Sequence, residues 1–403
     1  MTSEFPLIEP TWHIAHQTAH TVAAALHSRR VPVADGVGQV LATDVRSLID
    51  LPYDTTSAMD GWAVGGSQGP WRVVDGAALA GHVSQVTLTP KDAVLIATGG
   101  VVPSGTFGVI RREFTEVFGD GADSFVRATH ESEPFANSHV RPCGDEARRD
   151  EILVPAGTRL SPAHTALAAM AGHDTLEVRC AASCEILVLG DEVLRSGIPR
   201  SGQVRDAFEP QFAAYAALLG LEVSGFRFIP DTLEATTQAL ATSSARVVIS
   251  TGGTAAGPKD FLHTALETVG AQMVIDSIAM RPGHPNLLAR RGDQFFVGLP
   301  GNPLSASLGG MLTLVRPLAC GLLGMELPEL TSALTSTSIK APAHDTRLVP
   351  VTSQNRSGTF FVTELPWLNS GMMRGLANAD AVAVIPPGGV GEREVVEVLA
   401  LAW

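Results

Sequence analysis

Four short apolar runs in this chain end in acids or glycines, the residue types that hold phosphates and divalent cations. The run 185–189 ends in Gly190, Asp191 and Glu192, and the run 222–229 ends in Pro230 and Asp231. The run 246–250 leads into Thr251, Gly252, Gly253 and, after Gly257, into Lys259 and Asp260. The run 294–297 leads into Pro300, Gly301, Asn302 and Pro303. If these runs are strands of an open α/β sheet, all four ends lie where such sheets bind ligands, beyond the carboxyl edge. Glycines let successive N–H groups point into one concavity, and a following helix adds its positive end, which suits phosphate. The same glycines fit a turn that merely needs positive φ. Asp191, Glu192 and Asp231 beside such a loop suggest Mg²⁺, which takes a few carboxylates, retained waters and substrate phosphate oxygens. They equally fit solvated acids at helix starts. Asp260 fits a residue that favours the helix dipole, faces a ligand or holds a metal.

Several elements must position these ends. Apolar periodicity predicts helices over 12–29, 162–171, 206–219, 233–240, 260–269 and 303–318. Between 48 and 141 the chain is rich in Gly, Pro and Thr, with short alternating runs at 71–74 and 94–96, and reads as a small β domain. Strands alternating with helices from about 181 to 325 predict a parallel sheet covered on both faces. Runs at 360–365, 381–385 and 395–399, divided by Gly and Pro turns, predict a β-rich ending over 326–403.

Composition sets outer limits. A chain of 403 residues suggests two to four domains, and 45 % apolar content can fill several cores. With 17 % charged residues, a disordered or coiled-coil protein is disfavoured. The net charge of −13 makes nucleic acid or an anionic membrane a poor partner, though a local pocket can still be basic. The N-terminal ten residues have neither the basic nor the apolar region of a secretory signal, and no uninterrupted apolar stretch reaches about 18 residues. A soluble, cytoplasmic protein is expected. Cys180 and Cys184 have no further His or Cys nearby to make a zinc site, and the four cysteines read as reduced core thiols.

Further motifs carry a resemblance. Thr56-Ser57-Ala58-Met59-Asp60-Gly61-Trp62-Ala63-Val64 resembles the Ser-Ala-Met-Asp-Gly-aromatic-Ala signature of molybdopterin molybdenumtransferases, a family that includes the cofactor-assembly domain of gephyrin. Thr98-Gly99 with Pro103 and Gly105, the stretch 141–146, Gly190-Asp191-Glu192 and the glycine loop resemble further family motifs, in family order. So do Met280-Arg281-Pro282-Gly283-His284-Pro285, Leu299-Pro300-Gly301-Asn302-Pro303-Leu304-Ser305 and Ser370-Gly371.

The resemblance implies an elongated α/β multidomain protomer. A discontinuous helical linker domain (1–47 and 142–180) carries an inserted β domain (48–141). A central α/β molybdopterin-binding domain (181–325) and a C-terminal β barrel (326–403) complete the chain. It implies a homodimer with shared active sites, so that Asp60 and Thr98 complete a partner's site. It also implies insertion of molybdate into adenylylated molybdopterin (molybdopterin-AMP), with release of AMP and Mg²⁺ assistance. A molybdopterin adenylyltransferase would donate the substrate. Asp191, Glu192 and Asp231 would hold Mg²⁺. Gly252, Gly253, Gly257 and Asp260 would position the pterin phosphate, with Pro300, Gly301, Asn302 and Pro303 as a rigid wall and Ser370 nearby. Arg281 and His284 would bind molybdate and offset charge on the leaving AMP.

Departures bear on activity. The family's two lysines in Met-Lys-Pro-Gly-Lys-Pro are Arg281 and His284, its Asp-Asp after Pro is Asp231-Thr232, and its Ser-Val in the glycine loop is Ala255-Ala256. Histidine is only partly charged near neutrality. Two other readings therefore stand beside insertion: a paralogue that binds molybdopterin or a nucleotide without inserting metal, and a Mg²⁺-dependent phosphohydrolase. The chain has three lysines, Lys91, Lys259 and Lys340. Lys259 either supplies the cation lost at position 284 or is a solvated residue at a helix start. If it supplies the cation, Lys259→Ala lowers molybdate affinity and cofactor production by roughly tenfold, as loss of a charge-assisted bond does. Unchanged values would remove that role.

Overall fold

The computed structural model describes residues 6–254 and 261–401. Its centre is a sheet built from β1 (Ala182–Leu189), β2 (Leu221–Ile229), β3 (Val247–Thr251), β4 (Gln272–Asp276), β5 (Leu287–Arg291) and β6 (Gln294–Leu299). The short N-terminal strand Leu7–Ile8 joins as the seventh member. Strand order is Leu7–Ile8, β4, β5, β6, β3, β1, β2. The helices are α1 (Phe208–Leu219), α2 (Leu233–Thr242), α3 (Leu262–Thr268) and α4 (Pro303–Leu323).

Both faces of the sheet are covered, which explains the unbroken apolar runs. Along β1, Ile186 and Val188 join one core with Phe212 of α1 and Leu308 and Leu312 of α4. Leu187 and Leu189 join another with Leu240 of α2 and Leu262 and Leu266 of α3. Full burial of each such side chain contributes roughly 1.5–3 kcal/mol. Two of the helix starts have a local side-chain cause. Asp206 Oδ1 accepts the N–H of Phe208 at 2.8 Å ahead of α1. Thr232 Oγ1 accepts the N–H of Ala235 at 3.2 Å and caps α2. The threonine that departs from the family pattern thus has a structural role. α1 closes at Gly220, whose φ of +81° favours glycine.

Two expectations are corrected. The sheet is mixed rather than parallel: β2, β1, β3 and β6 run parallel, but β5 is antiparallel to both β6 and β4. β5 reaches β6 by a tight return and never crosses over a helix. The first helix ends at Thr21 rather than near residue 29, because Ser28–Pro32 is a strand paired with Thr175–Arg179. Pairing across the chain there overrides an alanine-rich local preference for helix.

That pairing, and the pairing of Val45–Arg46 with Ile152–Val154, joins segments from before and after the inserted domain. The insert itself is a six-stranded sheet in which Gly61–Val64 lies between Gly108–Arg111 and Asp92–Ile96. At the C-terminal end, Leu330–Thr335, Thr346–Arg356, Thr359–Glu364, Ala381–Ile385 and Val395–Ala400 close into a five-stranded barrel. Met280–Arg281 pairs with Thr346 and Arg347 and ties the barrel to the α/β domain. The protein is therefore a multidomain α/β structure with an inserted β domain and a C-terminal barrel.

α4 is long and apolar enough to cross a membrane by length and composition. It is instead a core helix, since every residue over 304–323 except Arg316 is buried. Its middle, Ala306–Val315, is wound as a π-helix. Gly283 packs against it: its φ is +104°, and an added Cβ would lie 2.8 Å from the Gly309 Cα and 3.1 Å from the Ser305 carbonyl oxygen. Gly283→Ala should lose roughly 1–3 kcal/mol of stability through backbone strain and overpacking. Denaturant unfolding measures this, and an unchanged midpoint would contradict the close approach.

Candidate active site

The parallel register brings β1, β3 and β6 to a common edge. Val188 pairs with Thr251, and Thr251 pairs with Leu299. The chain turns away immediately beyond, and Gly252 N–H donates to the Leu299 carbonyl at 2.8 Å. A cavity of about 640 Å³ opens over this edge. Its lining includes Gly190, Glu192, Asp231, Gly252, Gly253, Gly301, Asn302 and Pro303. Four strand ends whose chemistry is legible in the sequence thus meet in one place.

Gly190 has φ +133°, and a Cβ there would lie 2.8 Å from Glu192 Oε2. The Glu192 carboxylate therefore folds back over Gly190, against the cavity wall. Beside it, the neighbouring strand ends are cross-linked: Asp231 N–H donates to Asp191 Oδ1 at 3.3 Å, and Asp191 N–H donates to Asp231 Oδ2 at 3.4 Å. Gly252 and Gly253 both have positive φ, +83° and +70°. Side chains other than glycine rarely adopt two such residues in succession. Gly301 comes close to Gly252: a Cβ at Gly301 would lie 3.7 Å from the Gly252 Cα.

Among the described residues, no three His, Cys, Asp or Glu side chains gather as a ready-made metal cage. The donors present nevertheless suit Mg²⁺, which usually takes one or two protein carboxylates and completes its shell with water and substrate phosphate. Glu192 and Asp231 on one wall provide that minimum.

The remaining site residues fall in several places. Gly257, Lys259 and Asp260 lie outside the described residues, as do Ala255 and Ala256. Pro300 comes directly after β6, next to the cavity residue Gly301. Ser370 acts through its backbone, its carbonyl accepting the N–H of Leu304 at 2.9 Å and of Ser305 at 3.2 Å at the start of α4. Arg281 and His284 are absent from the cavity lining. Arg281 pairs with Asp345 at 3.4 Å, and His284 Nε2 meets Glu9 Oε1 at 3.0 Å. Both basic groups are thus turned toward acids from distant parts of the chain.

Asp60 and Thr98 also lie off this cavity, in the inserted domain. They sit at adjoining strand ends, where Asp60 Oδ1 accepts the Thr98 N–H at 2.7 Å. That bond, ahead of all other influences, holds the Asp60 carboxyl below the usual carboxylate range.

Some cavity residues are not evident from the motifs. Arg205 is the basic side chain on the described lining, and its Nη1 donates to the Leu194 carbonyl at 2.9 Å. Asp206 lies buried beside it and starts α1. An acid just before a helix is a readable capping signal. Phe208 and Met373 also line the cavity, Met373 from the barrel side of the chain, next to Gly371 of the Ser370-Gly371 motif.

Comparison with known proteins places this geometry in a family. Residues 11–172 match the MoeA N-terminal region (domains I and II), 185–319 a probable molybdopterin binding domain, and 332–401 the MoeA C-terminal region (domain IV). A molybdopterin molybdenumtransferase of Haemophilus influenzae is 33 % identical over 317 residues, covering 76 % of each chain. The chain belongs to the molybdopterin molybdenumtransferase family. A second member of the family, from Bacillus subtilis, is 29 % identical over 89 % of this chain and 86 % of its own. The fold is shared with a crystal structure of a molybdopterin biosynthesis MoeA protein from Pyrococcus horikosii. That structure has a TM-score of 0.77 at 23 % identity, covering 97 % of this chain and 99 % of the other.

The Asp60 bond makes stability depend on pH. A carboxylate whose folded pKa is depressed contributes stability above its unfolded pKa and loses it as pH falls through the folded one. Asp60→Asn should therefore lower the melting temperature at neutral pH by a few degrees at most, given the group's exposure. The difference from the unaltered chain should vanish in acid below the depressed folded value. A difference constant with pH would contradict this.

Proposed function

We propose that this chain inserts molybdate into adenylylated molybdopterin, releasing AMP, in the cavity beyond β1, β2, β3 and β6. One observation carries the reading. Carboxylates from two strand ends and positive-φ glycines from a third face a single cavity, in a chain of this family. Gly252 and Gly253 carry no side chain, so a phosphate could approach the backbone on that side of the cavity. Glu192 and Asp231 would hold Mg²⁺, which when bound supplies Lewis-acid stabilisation of negative charge on the pyrophosphate link. Asn302 and Pro303 restrict the lining next to the glycines. Asp206 fixes the start of α1, and with it the position of Arg205 and Phe208 at the rim.

The same proposal includes a homodimer in which Asp60 of one protomer completes the site of the other. Its support is that Asp60 and Thr98 hold each other in place yet do not line the cavity of their own chain. The substrate's anhydride must come from an adenylyl-transferring enzyme, and a molybdopterin adenylyltransferase would serve.

A second reading has an observation of its own. With Arg281 and His284 engaged by Asp345 and Glu9, a member that binds the pterin without inserting metal is favoured over a phosphohydrolase. The phosphohydrolase reading gives no role to Asp60.

Reconstitution with adenylylated molybdopterin, Mg²⁺ and molybdate separates these readings. Insertion requires AMP release that depends on both molybdate and Mg²⁺. Glu192→Gln and Asp231→Asn should each reduce that release by roughly tenfold or more, the cost of losing one charged contact. Tight pterin retention without AMP release would instead establish the binding module.

A further inference from the structure

A second cleft, of about 500 Å³, lies at the seam between the linker domain and the α/β domain. Three arginines line it: Arg29 on the strand Ser28–Pro32, Arg179 on its partner strand, and Arg159 on the approach to the helix Pro162–Met170. The opposite wall comes from Leu221, Leu323 and their neighbours. In a chain of net charge −13, three guanidiniums around one cleft are a marked local excess of positive charge.

None of the three forms an ion pair with a carboxylate among the described residues. The partners of Arg159 and Arg179 are neutral: backbone carbonyls and, for Arg159, the Met325 Sδ at 3.8 Å. Arg159 donates to the carbonyls of Gly38 at 3.1 Å and Leu219 at 3.2 Å. Arg179 donates to that of Leu26 at 2.8 Å, and its Nε is sealed from solvent without an acceptor among the described residues. These bonds aim the guanidiniums without pairing any of them with a carboxylate among the described residues. Burial pushes the Arg159 guanidinium below its ordinary range, the mark of a charge held where desolvation opposes it. The carbonyl bonds offset part of that cost, and a counter-charge would offset more.

We propose that this cleft binds the phosphate group of a small phosphate monoester. Guanidiniums pair with tetrahedral oxyanions through parallel N–H···O bonds, a match that neither chloride nor a lone lysine provides. Glu222 is the acid on the lining and reduces three positive charges to a net two, which matches the dianion of a phosphate monoester near neutrality. The cleft is larger than a bare ion needs. Its aliphatic walls, Val37 and Leu323 among them, suit an organic body on the phosphate. Among the described residues the cleft shares no lining residue with the cavity over the sheet edge, so it stands independently of the function proposed there.

Calorimetric titration of the full chain with phenyl phosphate, against inorganic phosphate and sodium chloride, tests this. Phenyl phosphate should bind saturably and more tightly than phosphate, and chloride should give no saturable heat. Phosphate binding as tightly as the ester would overturn the organic-body assignment. The Arg29 side chain is exposed and makes no hydrogen bond among the described residues, so Arg29→Gln should leave the melting temperature unchanged. It should still weaken binding by about tenfold, the cost of one charged contact. Arg179→Lys keeps the charge but removes the fork, and should also weaken binding. Absence of saturable binding, or equal binding by Arg29→Gln and the unaltered chain, would overturn the proposal.

Discussion

The register of the parallel strands governs this structure's chemistry. β1, β3 and β6 are paired so that Val188, Thr251 and Leu299 stand level. All three strands then leave the sheet together, and the residues just beyond each end are forced into one space. A slip of one residue would turn every side chain on a strand to the opposite face. Here both faces are packed, with Ile186 and Val188 against α1 and α4 and Leu187 and Leu189 against α2 and α3. The two cores fix the register, and the register assembles the cavity.

The second constraint is close backbone approach. Gly190 leaves room for the Glu192 carboxylate, and Gly283 lets the segment before β5 lie against α4. The same segment continues the pairing that attaches the barrel, through Met280–Arg281 and Thr346–Arg347. A motif that resembles a ligand-binding signature is thus also a structural joint. Its two basic side chains are engaged by Asp345 and Glu9. Any cation required over the glycine loop must therefore come from elsewhere, or these pairs must open when substrate binds.

Much of this architecture is legible in the sequence because it is local. Apolar runs bounded by Gly, Asp and Pro mark the parallel strands and the acids and glycines at their ends. The features that escape a sequence reading depend on partners far along the chain. The alanines after Thr21 favour helix, yet the strand Ser28–Pro32 is required by Thr175–Arg179, some 150 residues later. β4 and β5 are five-residue strands whose burial does not alternate, and their partners are fixed by pairing rather than by any local pattern. Nothing near Arg281 announces Asp345. Asp206 is the intermediate case, since its capping position can be read but its place on the lining cannot.

The central claim is that the cavity beyond the aligned strand ends holds the substrate's phosphates. The most direct measurement is a crystal structure of the chain with adenylylated molybdopterin and Mg²⁺. The pyrophosphate should lie against Gly252 and Gly253, with the metal held by Glu192 and Asp231. Substrate bound elsewhere, with that cavity empty, would contradict the claim.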